Sequence, residues 1–145
     1  MLNRWGDWRR IEYEDFVYII HIDKEDNPFE DGDIFIPWFS IHITKKTAKK
    51  RKDKNALKYD PRFTIIGKTF NMIIMRQIEE AVRSYLMTWE PKYIIIGAYE
   101  IDHERRIKLY LNRLATMGYF LIKHDHGFNY ETKKTYDDYY LERRN

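Results

Sequence analysis

The chain has 145 residues, of which 43% are hydrophobic, 34% charged and 17% aromatic, with a formal net charge of +3 and no cysteine. That length suffices for one domain with a substantial core, and the lack of cysteine excludes disulfides, thiolate catalysis and Cys-ligated zinc and fits a reducing, cytoplasmic setting. No apolar run approaches the roughly 18 residues of a membrane span; the start, MLNRWGDWRR, offers no hydrophobic leader, so no signal peptide is expected, and a charge of +3 does not demand a nucleic-acid partner.

In chain order, residues 1–15 mix Trp5, Trp8, Arg9 and Arg10 with acids and show no clear period. They are expected to form a lead-in whose tryptophans dock on the body of the domain. Asp15 to Ile22 (DFVYIIHI) alternates and predicts a strand. The acidic DKEDNPFEDGD that follows, with Asn27-Pro28 and Asp31-Gly32, reads as a turn or long hairpin loop. Ile34 to Thr44 resumes strand character, and Pro37 argues for a bulge or an edge there. KKTAKKRKDK, residues 45–54, carries seven basic residues in ten and reads as a basic loop over 45–58. Phe63 to Gly67 (FTIIG) predicts a third strand leading into a helix with Phe70, Ile74, Ile78, Ala81, Val82 and Tyr85 as its buried stripe, ending near Trp89 and Pro91.

The best-defined stretch is Pro91 to Tyr119. Tyr93 to Ala98 is a short, mostly β-branched run that predicts a strand buried on both faces. Asp102 stands where an N-cap belongs. Ile107, Tyr110, Leu111 and Leu114 form one helical stripe, and Gly118 stands where a helix stop belongs. Tyr119 to Lys123 begins the next strand, and Phe128 to Leu141 predicts one or two more. The order β-β-β-α-β-α-β, with a further β, predicts an α+β domain over residues 1–145, its mixed sheet flanked by two helices. The helix between FTIIG and YIIIG is long enough for a right-handed crossover between parallel neighbours.

Two features of residues 63–141 carry a family resemblance: a strand ending in glycine that enters a helix directly (FTIIGKTFNMIIMRQIEEAV), and a strand, an acidic turn and then RRIKLYLNRLATMGY. This region resembles the GNAT acyltransferase fold, and more closely a set of small phage proteins distantly related to it. The resemblance implies acetyl-CoA-dependent N-acyl transfer to an amine, with no metal. Tyr110 matches the tyrosine that protonates the departing thiolate, and Glu100 would assist the amine as base. Gly67, Lys68, Thr69 and Asn71 would meet the phosphates at a helix N-terminus, where free N–H groups favour anions, and the pantetheine would lie between FTIIG and YIIIG.

The chain departs from the family in its phosphate loop, which keeps only the first glycine, Gly67. The acidic turn around Asp26 to Asp33 also replaces the helices expected between the first two strands. An alternative is therefore a non-catalytic accessory module in a host cytoplasm, binding a host protein or nucleic acid through its tyrosine-rich and basic surfaces. Lys49, Lys50 and Arg51 would contact phosphates in that case.

Other constellations have plainer explanations. Tyr110 also fits as a core-edge tyrosine of its helix. His42-Ile43-Thr44 is one half of a two-histidine phosphoesterase motif, and no second H-x-[ST] triplet accompanies it. His124 and His126 share a strand face, and Glu100, Asp102 and His103 could add ligands, but we read them as surface histidines rather than a metal site. Arg105, Arg106, Lys108 and Arg113 read as the solvent side of the helix.

Overall fold

A computed structural model describes residues 3–14, 16–45, 72–98, 103–131 and 133–144. It contains β1 (Gly6–Tyr13), β2 (Phe16–Asp26), β3 (Phe35–Lys45), α1 (Met72–Trp89), β4 (Tyr93–Ala98), α2 (His103–Thr116), β5 (Tyr119–Asn129) and β6 (Lys134–Arg143). The fold is α+β, with the strands in the order β1-β2-β3-β4-β6-β5. The sheet is mixed: β3 and β4 are parallel, while β1–β2, β4–β6 and β5–β6 are antiparallel. The expected strand Phe63–Gly67, the basic loop and Asp102 lie outside the described residues; the parallel neighbour of β4 is β3, meeting it at Trp38↔Ile95 and Phe39↔Ile96.

The chain divides into two compact units, Met1–Asp23 with Ser40–Trp89, and Lys24–Phe39 with Glu90–Asn145. In the first, residues 6–13 are a strand rather than a lead-in. The register slips between Asp7 and Arg9, and a bulge of that kind offsets the in-out alternation, which hides the strand's period. Trp8 docks as expected: it is buried, its Nε1 donates to the Ala81 carbonyl at 2.8 Å, and it meets the Tyr85 ring edge-on at 5.1 Å. Of the expected α1 stripe, Ile74, Ile78, Ala81 and Tyr85 are buried, joined by Met75 and Leu86, while Val82 is half-buried and Phe70 lies outside the described residues. Each large apolar side chain so buried contributes about 1.5–3 kcal/mol.

In the second unit β4 is buried on both faces, as its sequence predicts, with Tyr93, Ile94, Ile95 and Ile96 all inaccessible. Tyr93, Ile95 and Ile36 form one cluster, covered by Phe29, Trp38, Ile122 and Tyr140. Pro37 is buried in an inner strand, not at an edge; the parallel pairing with β4 starts one residue later, at Trp38. Helix α2 packs against β5 through a face on which Ile107 and Leu114 are buried. It stops as expected at Gly118, whose φ of 90° suits a residue without Cβ. Met117 and Gly118 donate to the carbonyls of Leu114 and Ala115, tightening the last turn.

The loop between β2 and β3 is organised by Asn27. Its Nδ2 donates to the Asp31 and Asp33 carbonyls, both at 2.7 Å, and its Oδ1 accepts from the Phe29 amide at 2.7 Å. That Asx turn seats Phe29 flat on Tyr93, with ring centroids 4.2 Å apart.

Candidate functional site

Of the residues expected to act, Tyr110 is described. It sits half-buried on α2, between the buried Ile107 and Leu114. Glu100, Gly67, Lys68, Thr69 and Asn71, and the phosphate-contact residues Lys49, Lys50 and Arg51, lie outside the described residues. What the structure does bring together is a set of histidine and carboxylate groups from different strands.

One group is built on the β5–β6 hairpin. His124 Nε2 and His126 Nδ1 each donate to the same oxygen, Asp137 Oδ1, at 2.7 Å. They share a face because alternate residues of a strand do, and the register His124↔Tyr139 and His126↔Asp137 brings the carboxylate to the same side. Asp137 is 7% exposed, and a buried carboxylate needs such donors. Tyr139 stacks on His124 with centroids 4.3 Å apart and planes 13° apart, fixing the imidazole. The hairpin thus fixes two imidazoles side by side on one buried carboxylate.

The other face of the same hairpin carries Asp125 opposite Asp138. Burial raises the Asp138 carboxyl above the usual carboxylate range, Trp38 opposes that by donating its Nε1 to Oδ1 at 3.2 Å, and the neighbouring Asp125 and Asp137 charges add to the rise.

A second group lies in the first unit. His21 is clamped at both ring nitrogens, by Asp7 at 2.7 Å and Asp23 at 3.0 Å. Only the protonated ring can donate from both nitrogens, one to each carboxylate. Burial pulls its pKa down, but the two carboxylates outweigh it and the net shift is upward. His42 stands beside it at 5.2 Å between centroids, with its Nε2 3.3 Å from Ser40 Oγ. The half-motif residue His42 thus faces an imidazole engaged at both ring nitrogens rather than a second free base.

A third group holds the loop. Tyr93 donates its hydroxyl to Asp31 Oδ1 at 2.5 Å, and Lys92 donates to Oδ2. The Lys92 and Tyr93 donors hold Asp31 below the usual carboxylate range, and the same contact with Asp31 pushes the Tyr93 hydroxyl up to about 12.

Sequence reasoning had placed His124 and His126 on one face but missed Asp137. The available signal was the hairpin: reflecting the chain across a turn at 130–133 sets Asp137 opposite His126. Among the described residues no group of three or more His, Asp or Glu is disposed to hold a metal ion. No described helix is long and apolar enough to cross a membrane. Compared with family models, curated proteins and solved structures, the chain matches none.

Proposed function

We propose that the chain is a GNAT-like acyltransferase that uses acetyl-CoA to acylate an amine. The observation that supports this most is the arrangement around β4: α1 links two parallel neighbours, β3 and β4, α2 links β4 to β5, and β6 returns antiparallel between β4 and β5. That mixed sheet, with α1 before β4 and α2 after it, is compatible with the scheme the resemblance implies, and Tyr110 lies half-buried on α2. Acetyl-CoA would supply the activated acyl carbon. Tyr110 would give its proton to the departing sulfur, Glu100 would take one from the amine, and Gly67, Lys68, Thr69 and Asn71 would hold the phosphates. Calorimetric titration with acetyl-CoA tests the reading. Micromolar binding that disappears in Gly67→Trp and survives in Tyr110→Phe is the expected result; no heat at millimolar ligand would refute it.

A second reading, a non-catalytic nucleic-acid-binding module, is favoured by the tip of the β5–β6 hairpin. Tyr130 is 84% exposed there, edge-on to the exposed Phe128 at 5.1 Å, a surface on which bases can stack. It requires binding to single-stranded DNA or RNA that weakens with salt and weakens less steeply once Lys49, Lys50 and Arg51 are neutralised. Salt-independent binding would eliminate it.

A further inference from the structure

Strand β5 ends the sheet: β6 pairs along one side of it, and among the described residues no strand pairs along the other. An edge of 11 residues offers a row of backbone N–H and C=O groups that can template another strand. Its charges are arranged in a self-complementary way. Lys123 and Asp125 flank His124 and share a face, opposite Tyr140 and Asp138 of β6. Their side chains are 44% and 43% exposed, and Lys123 Nζ lies 3.6 Å from Asp125 Oδ2. An antiparallel two-fold copy of β5 centred on His124 places each Lys123 opposite the other copy's Asp125. Toward the two ends of the strand, on either side of the bulge between Leu121 and Lys123, Phe120, Leu121 and Phe128 add exposed apolar surface.

We infer that β5 is a homodimer seam, in which two copies of this chain join their sheets edge to edge about His124. One positive and one negative charge placed symmetrically about a single residue are self-complementary under a two-fold axis. A strand meant for an unrelated partner needs no such symmetry. The seam is independent of the proposed acyl transfer, since it uses neither Tyr110 nor the residues of the phosphate loop.

Sedimentation velocity over a range of concentrations tests this on the full chain, for the wild type, Asp125→Lys, Lys123→Asp and the double exchange Lys123→Asp/Asp125→Lys. The wild type is expected to dimerise. Each single variant turns both symmetric pairs into like charges and should weaken association on the order of tenfold or more. The double exchange should recover it, because each copy again offers opposite charges. Circular dichroism melting checks that the exchanged side chains, nearly half exposed, leave the fold intact. Should a single variant misfold, the wild type alone still decides: the dimer must weaken as salt rises. A wild type that stays monomeric at every concentration, leaving the edge to another protein's strand, overturns the inference. So do single variants that associate like the wild type, a double exchange that fails to recover, and a dimer indifferent to salt.

Discussion

Replacing Gly97 by alanine adds one methyl group where an indole already stands. A Cβ at Gly97 falls 2.2 Å from Trp38 Cζ2, 2.5 Å from Cε2 and 2.6 Å from Nε1, whereas favourable carbon contacts lie at about 3.5–4.0 Å. The indole must move by about 1 Å or more to restore such a contact, and that draws Nε1 away from Asp138 Oδ1. Overpacking of this kind costs about 1–3 kcal/mol, and a hydrogen bond to a charged group contributes about 1.5–3 kcal/mol. Trp38 is half-buried and its bond is long, so the low end of each range applies and the expected loss is about 2.5 kcal/mol.

The loss should also depend on pH. Because the folded-state pKa of Asp138 is raised, the folded chain holds that proton more tightly than the unfolded chain, and stability falls as pH rises from the ordinary carboxylate value through the raised one. Withdrawing the Trp38 donor raises the pKa further, so Gly97→Ala should steepen the fall and cost more at neutral than at acid pH. Urea unfolding at both pH values, followed by circular dichroism, measures this. The clash should largely vanish in a Trp38→Leu background, which a double-mutant cycle reads as coupling. A change within about 0.5 kcal/mol at neutral pH, or an equal loss with and without Trp38, would refute the reasoning.

Trp8→Phe removes the donor to Ala81 and part of the indole's burial, and is expected to cost about 1.5–2.5 kcal/mol in urea unfolding, while Trp5→Phe, at a half-buried position, stays within about 0.5 kcal/mol. Gly118→Ala meets both a φ of 90° and the Arg144 carbonyl at 3.3 Å from the new Cβ, so a thermal melt should show a loss of about 1–2 kcal/mol. His21, faced by Asp7, Asp23 and His42, has a raised pKa, so its contribution to stability is complete below about 6.5, the unfolded value, and is lost as pH rises through the folded one. Stability measured across that window should fall in the wild type and flatten in Asp7→Asn; an unchanged slope would show that the clamp does not hold the proton.

Legibility followed the range of the interaction. The stripe of α1, the two-sided burial of Tyr93 to Ile96 and the stop at Gly118 each depend on neighbours within a turn or a strand, where side-chain period and backbone freedom are written in the residues themselves. Strand β1 escaped because the bulge at Trp8 breaks the alternation that would have marked it. Of the two readings of Pro37, a bulge or an edge, the edge fails, because the proline lies buried inside the sheet, one residue before the parallel pairing with β4 begins. Of the acyl-transfer residues, local pattern could place Tyr110 on its helix, and the structure keeps it there, half-buried.

By itself, then, the sequence determined the α+β class, helices α1 and α2 and their buried faces, because these follow from periodicity that any short window contains. Only the tertiary structure decided which polar groups meet. Asp137 reaches His124 and His126 through a hairpin register, Asp31 reaches Tyr93 from 62 residues away, and Trp38 covers Gly97 while donating to Asp138, 100 residues on. Those meetings depend on strand order and on the residue at which each pairing starts, and a shift of one residue would send every side chain to the opposite face.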